Sequence, residues 1–192
     1  LRAAGAKVAP ANAVPIFDAL AEISGKGREP SDLLIVACSS HGFSEGERAY
    51  LMPRDGRFAF LERTAVPLET LESTVRRSKA GHRLLLIDAC QDRVSATRAV
   101  GGRQAATAMS DAFAAALAKP TGQAKLASCE VGQFSLELPR LKNGVFTAAL
   151  LESLRGGAGD VDGDGFIRLA EVQTATTARV ATLIDEYNAD LP

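Results

Sequence analysis

The sequence predicts an α/β fold with a mainly parallel central sheet and helices on both faces. Short apolar segments rich in Val, Ile and Leu alternate with segments in which apolar residues recur at helical spacing, which is typical of this class. The segments 32–39 and 83–90 are apolar without polar alternation, as expected of strands that are covered on both faces. A chain of 192 residues, 46% of them hydrophobic and 23% charged, is long enough for one domain with a sizeable core.

The expected strands are the short apolar segments that end at polar or turn-forming residues. We expect 32–39 and 83–90 to be central strands, because neither shows the alternation of a half-exposed strand. In chain order the expected strands are 6–10, 32–39, 49–53, 83–90 and 124–129.

The expected helices carry their apolar residues on one face. In the first of them, Ile16, Leu20 and Ile23 are at helical spacing, and Gly25 ends the pattern. In chain order the expected helices are 13–24, 64–78, 105–119, 143–157 and from about 169 to 187.

Composition and charge argue against several classes of protein. A formal charge of −1 argues against a nucleic-acid-binding protein, which normally has a basic surplus. No apolar run is long enough to span a bilayer and no secretory signal is visible, so we expect no membrane segment. The three cysteines lack metal-ligand spacing, which predicts free thiols in a reducing, cytoplasmic compartment. Because the chain begins at Leu1, we expect a missing N-terminal segment of the same protein.

Two residues with catalytic chemistry lie at the carboxyl ends of the two expected central strands. They are His41 and Cys90. Open sheets bind ligands at this rim, so the two side chains meet there if the strands are neighbours. A thiolate is a nucleophile, an imidazole lowers the pKa of the thiol and protonates the leaving amine, and the N–H of Gly42 is placed to hold an oxyanion. The alternatives are a small buried cysteine and a His–Gly turn.

The order of several motifs resembles that of the caspase-like cysteine proteases, in particular the bacterial metacaspase or orthocaspase branch. The matching segments, spread over nearly the whole chain, are CSSHG, YLMPRDG, LLLIDACQ, LASCEVGQFSLE and GVFTAALLESLRGGAGDVDGDG. The resemblance implies a caspase-like (caspase-hemoglobinase) fold, with 1–192 as a single peptidase domain that lacks its N-terminal strand. It divides the chain into a large-subunit-like part (about 1–92), a flexible processing loop (about 93–122) and a small-subunit-like part (about 123–192).

The resemblance also implies a role for each residue at the rim. His41 would be the general base and acid, and Cys90 the nucleophile, of a dyad that cleaves proteins or peptides after Arg or Lys. Ser39 and Asp88 fall on positions that line the pocket for the basic side chain, where a carboxylate binds a guanidinium through paired hydrogen bonds. The alternative for Asp88 is a strand-end carboxylate that caps a backbone N–H. Ser40 is a departure, since the family has Gly before the catalytic His.

The polar stretch after Cys90 predicts regulation by cleavage. It is rich in Ala, Ser, Thr, Gly and Arg, and long connections of this kind are usually functional or disordered. In caspase-like enzymes this connection separates the large and small parts, so an Arg-specific protease would cut itself at Arg93, Arg98 or Arg103. The alternative is that these side chains are simply solvated. Metacaspase-like relatives tend to be monomeric, so we expect a monomer.

The segment DVDGDGFIRLAE, 160–171, fits the calcium loop of an EF-hand at each diagnostic position. The expected ligands of Ca²⁺ are, in order, Asp160, Asp162, Asp164, the carbonyl of Phe166, and Glu171. Gly165 is expected to make the sharp turn at the sixth position, and Ile167 to point into the core. The alternative is a turn-rich loop with solvated carboxylates. No organic cofactor is expected.

Three functions are therefore open at the level of sequence. The first is a cysteine endopeptidase of the caspase or metacaspase type that cleaves after Arg or Lys. The second is a catalytically weak or inactive pseudoprotease that acts as a regulatory or binding domain. The third is a calcium-binding module in which the Cys–His pair is incidental.

Overall fold

The computed structural model describes residues 7–25, 29–91, 111–119, 122–128, 135–141, 143–155 and 157–189. The chain divides into two compact units, Leu1–Phe134 and Ser135–Pro192. The first unit contains a five-stranded sheet with helices, which confirms the α/β class. The first unit also contains the strand expected at 124–129. The boundary between the two units, after Phe134, is therefore later in the chain than the start of the small-subunit-like part implied by the resemblance, at about 123. A single domain over 1–192 stays a prediction.

The described chain contains the following helices and strands. The helices are α1 (Ala13–Gly25), α2 (Leu61–Thr64), α3 (Leu68–Arg77), α4 (Asp111–Ala118), α5 (Val145–Leu154) and α6 (Leu169–Ala189). The strands are β1 (Leu33–Glu45), β2 (Arg48–Met52), β3 (Val66–Pro67), β4 (His82–Gln91), β5 (Ala124–Ala127), β6 (Glu137–Leu138) and β7 (Asn143–Gly144). The strand predicted at 6–10 is wrong, since residues 7–10 have no regular structure.

The sheet of the first unit is mixed, so the parallel pairing that was predicted holds for β1, β4 and β5 and not for the other two strands. Its order is β3-β2-β1-β4-β5. β4 pairs in parallel with β1 and with β5, whereas β2 pairs antiparallel with β1 and with β3. The antiparallel half exists because only Gly46 and Glu47 connect β1 to β2, and a connection this short makes a hairpin. Gly46 has a φ of 58°, which favours glycine.

Three helices cover one face of this sheet. Leu20 of α1, Leu71 of α3 and Phe113 of α4 belong to one buried cluster with Leu85 and Ile87 of β4. Each of these side chains is at most 5% exposed, and full burial of such a side chain stabilises the fold by about 2 kcal/mol. In α3 the apolar side chains at helical spacing, Leu68, Leu71 and Val75, are buried, together with Glu72 and Thr74.

The opposite face of β1 is largely open in the described structure. Leu33 and Ile35 are 61% and 52% exposed, while Leu34 between them is 8% exposed. On this face α2 packs near β2, where Leu61 and Tyr50 share a cluster. The expected coverage of β1 by helices on both faces is therefore wrong for the described residues. An apolar run has no period, so the sequence could not separate a strand buried on both faces from one with apolar residues on an open face.

The second unit is built on two helices. Val145 and Ala149 of α5 pack with Leu183 of α6 and with Leu138 of β6, which pairs antiparallel with β7. The segment 157–168 lies between the two helices, and the predicted calcium loop, 160–171, runs from it into the first turn of α6. Within the described residues, no helix combines the length and the apolar character that a membrane span requires.

Candidate active site

His41 and Cys90 are register partners in neighbouring central strands. β1 and β4 run parallel, and their pairing extends from Leu33 with His82 to Gly42 with Gln91, so that His41 is opposite Cys90. Register partners lie on the same face of a sheet, and neighbouring strands are about 4.8 Å apart. The sheet thus brings the two residues side by side at the carboxyl end of β4. His41 is exposed, and the side chain of Cys90 lies outside the described part of the structure.

Ser39 and Asp88 form the preceding pair on the same face. They are register partners in β1 and β4, two residues before His41 and Cys90. Because the side-chain period of a strand is two, all four residues share one face of the sheet. Ser39 is exposed, whereas Asp88 is buried at 7% exposure. A carboxylate in such a position is poorly solvated, which strengthens its interaction with a cation.

The other histidine is far from this rim. His82 begins β4 and pairs with Leu33 at the amino end of the parallel ladder. It lies eight residues before Cys90 in the same strand, a separation of about 26 Å at the rise of an extended chain. Of the two histidines in the sequence, His41 alone is beside the carboxyl end of β4.

The chemistry of Cys38 differs from that expected of a nucleophile. Cys38 pairs with Ile87 on the helix-covered face, opposite to the face that carries His41. Burial raises the pKa of the Cys38 thiol to about 11, so the thiol is protonated at neutral pH. Cys38 is therefore a core residue that packs against the sheet cluster. Cys129 lies outside the described residues.

Gly42 lies inside a strand, which corrects the prediction of a turn after His41. β1 continues to Glu45, and Gly42 is buried between its neighbours in β4 and β2. A Cβ atom at this position would lie 2.7 Å from Cζ of Phe113 in α4, closer than carbon atoms approach. The glycine is therefore required by helix packing. Its proposed contribution to an oxyanion site is a separate matter and stays a prediction.

Ser40 ties β1 to β2 next to His41. Its hydroxyl donates a hydrogen bond to the carbonyl of Met52 at 2.5 Å, and Met52 is the register partner of His41 in β2. Ser40, at the position where the caspase-like motif has glycine, therefore adds a link between β1 and β2. Sequence reasoning noted the departure but not this contact, because the hairpin that brings Met52 to His41 was not predicted.

The acidic loop of the second unit brings together three of its predicted ligands. Carboxylate oxygens of Asp160, Asp162 and Asp164 all lie within 4.8 Å of one another. Gly163 and Gly165 have φ values of 74° and 85°, so the expected turn at Gly165 is present. Asp160 accepts hydrogen bonds from the backbone N–H groups of Asp164 and Gly165, which fixes its carboxylate in the loop.

Glu171 closes this loop from the first turn of α6. Its carboxylate accepts hydrogen bonds from the backbone N–H groups of Arg168, Val161 and Asp162, at 2.8, 3.0 and 3.3 Å. These contacts, with that to Arg168 first, hold the pKa of Glu171 below its usual range. Glu171 therefore joins the two ends of the loop. The three clustered carboxylates of the loop do not include it.

Arg168 is a cation in the loop that sequence reasoning missed. Its guanidinium contacts Asp162 at 3.3 Å and Asp164 at 2.5 Å, and it lowers the pKa of the Asp164 carboxyl. In the sequence, the one indication of this pairing was that Arg168 is a basic residue inside an acidic segment. Ile167, which the EF-hand pattern directs into the core, is 40% exposed, so that expectation is wrong. Phe166, predicted to ligate through its carbonyl, donates its N–H to Asp164 at 2.9 Å.

The predicted cleavage sites Arg93, Arg98 and Arg103 lie outside the described residues. Neither models of known protein families nor the sequences of curated proteins match this chain. The support for a function therefore comes from the motifs of the sequence and from the pairing of β1 with β4.

Proposed function

We propose that this chain is a cysteine endopeptidase of the caspase-like type that cleaves after Arg or Lys. The observation that supports the proposal is the register of β1 and β4, in which His41 is the partner of Cys90 at the carboxyl end of β4. This position of the two residues agrees with the ordered motifs of the sequence. Cys38 packs in the core on the opposite face, whereas Cys90 is the register partner of His41.

In the proposed reaction His41 transfers protons in both the acylation and the deacylation half. It takes the proton of the Cys90 thiol, and the thiolate attacks the carbonyl carbon of the scissile bond. The imidazolium then protonates the departing amine, which leaves an acyl group on the Cys90 sulfur. His41 next removes a proton from water, and the hydroxide released by this step hydrolyses the thioester. The N–H of Gly42 is the proposed donor to the negative oxygen of the tetrahedral intermediates.

Asp88 and Ser39 are proposed to select the basic side chain of the substrate. Both lie on the face of the dyad, one pair of residues before it, which is within reach of a side chain next to the scissile bond. The buried carboxylate of Asp88 favours a guanidinium or ammonium group over a neutral side chain. The exposed hydroxyl of Ser39 is able to accept a further hydrogen bond from that group.

Peptide cleavage with matched cysteine variants tests the proposal. The chain is incubated with fluorogenic peptides that end in Arg, Lys or Asp before the fluorophore. We expect turnover of the Arg and Lys peptides alone, loss of turnover in Cys90→Ala, and retained turnover in Cys38→Ala. Turnover that survives Cys90→Ala would contradict the proposal. A folded wild-type protein that cleaves none of the peptides would instead favour the pseudoprotease.

We also propose that the loop 160–171 binds Ca²⁺. The support is the match to the EF-hand pattern together with the three carboxylates that meet within 4.8 Å. Like charges this close repel each other in the absence of a cation, and oxygen ligands suit calcium. Arg168 now provides positive charge to two of the three carboxylates, so it is expected to compete with the metal ion.

Calorimetric titration of Ca²⁺ into EDTA-treated protein tests this second proposal. We expect heat of binding in the wild type and a higher affinity in Arg168→Ala, because a competing cation is removed. Arg179→Ala is the matched control, since Arg179 pairs with Glu152 and Glu186 of the flanking helices. Absence of binding heat in both the wild type and Arg168→Ala would refute the calcium site.

A further inference from the structure

We infer that Phe113 of α4 is a positioning residue for His41, which it supports through Gly42 from the opposite face of the sheet. The inference rests on the proposed function, because it gives α4 a role in the Cys–His site. It concerns a residue that no sequence motif singles out. The contacts of Gly42 carry it.

Phe113 packs directly under the residue that follows His41. Its side chain is 0% exposed and belongs to the core cluster on the covered face. The three atoms nearest to a Cβ built on Gly42 are all from its ring, namely Cζ at 2.7 Å, Cε2 at 2.9 Å and Cε1 at 3.3 Å. The ring therefore fills the space that any side chain at position 42 would need.

This packing bears on His41 because Gly42 directly follows the histidine in β1. His41 is exposed on one face of the sheet, whereas the ring of Phe113 lies against Gly42 on the covered face. A displacement of the backbone at Gly42 therefore also displaces the point from which the His41 side chain extends. A shift of the backbone here would move the imidazole relative to its partner in β4.

Alkylation of Cys90 by iodoacetamide at pH 6, with the modified residue located by mass spectrometry, tests the inference. A free thiol is mostly protonated at this pH, so the rate at Cys90 reports how well the imidazole is placed beside it. We expect Phe113→Leu to slow the reaction on the order of tenfold, by misplacing the imidazole. Leu117→Ala is the matched control, because Leu117 is one turn further along α4 in the same cluster. In Leu117→Ala the alkylation rate of Cys90 should equal that of the wild type.

A compensating pair of variants separates positioning from a general loss of structure. Gly42→Ala should slow the alkylation of Cys90, because the added methyl group collides with the ring. Phe113→Leu removes the ring atoms that collide, so the double variant should react at least as fast as Gly42→Ala alone. In peptide cleavage, we expect Phe113→Leu to lower kcat and to leave KM unchanged. If the rate of the double variant equals the product of the two single effects on Cys90 alkylation, the substitutions act independently and the inference is overturned.

The variant His41→Ala distinguishes failure of the inference from failure of the proposed function. If His41→Ala slows alkylation of Cys90 while Phe113→Leu behaves like Leu117→Ala, the inference is overturned and the dyad stands. If His41→Ala leaves the rate at Cys90 unchanged, the dyad is refuted and the inference falls with it.

Discussion

At the scale of single residues, the face of β1 on which a side chain lies separates the surroundings of Cys38 from those of His41. Cys38 and His41 are three positions apart in β1, so they lie on opposite faces of the sheet. Cys38 packs in the core under the helices, while His41 is exposed opposite Cys90. Two residues that are close in sequence therefore have unrelated roles. A polar pair two residues earlier, Ser39 and Asp88, shares the face of the dyad.

The raised pKa of Cys38 predicts a loss of stability at alkaline pH. The folded thiol has a pKa of about 11, whereas a thiol in the unfolded chain ionises about two pH units lower. Between these values the unfolded state binds fewer protons than the folded state, so stability falls as pH rises. From pH 9 to pH 11 we expect the free energy of unfolding of the wild type to fall by about 2 to 3 kcal/mol relative to Cys38→Ala. Urea unfolding at each pH measures this, and parallel curves for the two proteins would refute it.

Asp88 is predicted to set the preference for a positive charge in the substrate. We expect Asp88→Asn to lower kcat/KM for an Arg peptide about a hundredfold, because the buried charged partner is lost. The same peptide with citrulline, which has the shape of arginine without its charge, should be a poor substrate of the wild type. The ratio of kcat/KM for the two peptides is the measurement, and it is insensitive to the amount of folded protein. A ratio that Asp88→Asn leaves unchanged would assign Asp88 a purely structural role.

At the scale of elements, the sequence predicted which segments are strands and helices better than how they pair. The two central strands follow from their apolar runs. His41 and Cys90 were expected at matching strand ends, and they are register partners, but β1 continues past His41 to Glu45, so only Cys90 lies at the end of its strand. The hairpin was missed because Glu45, Gly46 and Glu47 were read as part of a loop. The open face of β1 was missed because Leu33 and Ile35 are apolar, and periodicity carries no information in such a run.

Contacts between residues that are distant in the chain could not be predicted from local sequence patterns. The need for glycine at position 42 comes from Phe113, which is 71 residues later in the chain, and no pattern near either residue indicates their contact. The contact of Ser40 with Met52 depends on the unpredicted hairpin. Arg168 was overlooked in the acidic loop because the sequence pattern leaves position nine open, although that position supplies a calcium ligand, often through water, in an EF-hand.

Removal of one partner from the buried ion pair between α3 and β5 is predicted to destabilise the first unit strongly. Lys125 donates to Glu72 at 2.7 Å, and the two side chains are 12% and 7% exposed. We expect Glu72→Gln to destabilise the protein by about 3 kcal/mol, because it leaves a buried cation without its charged partner. The matched control is the exposed pair Arg48 with Glu62, where Glu62→Gln should cost less than about 1 kcal/mol. Urea unfolding measures the free energy of unfolding of both variants. Equal decreases in Glu72→Gln and Glu62→Gln would contradict the prediction.

At the scale of the whole molecule, the chain consists of two compact units with separate candidate sites. The Cys–His pair belongs to Leu1–Phe134, and the acidic loop belongs to Ser135–Pro192. The proposed cleavage sites follow β4 and precede α4 in the chain. The C-terminal fragment of such a cut would therefore include Phe113 of α4 and Lys125 of β5.

Self-cleavage is predicted between Cys90 and α4. We expect incubation of the purified chain to yield two fragments whose new ends lie at Arg93, Arg98 or Arg103, as identified by mass spectrometry. Cleavage after Lys125 should not occur, because its ammonium group is buried in the pair with Glu72. Cys90→Ala is the control and should remain uncut. A single uncut band in wild-type protein that is consuming a peptide substrate would contradict the prediction.

The most direct test of the proposed Cys90–His41 dyad is covalent labelling by a peptidyl chloromethyl ketone that ends in arginine. We expect mass spectrometry to locate a single thioether, on Cys90, while Cys38 stays unmodified. In His41→Ala this thioether should form slowly or not at all. Labelling of Cys38, or equal labelling of Cys90 with and without His41, would show that the paired strands do not form a catalytic dyad.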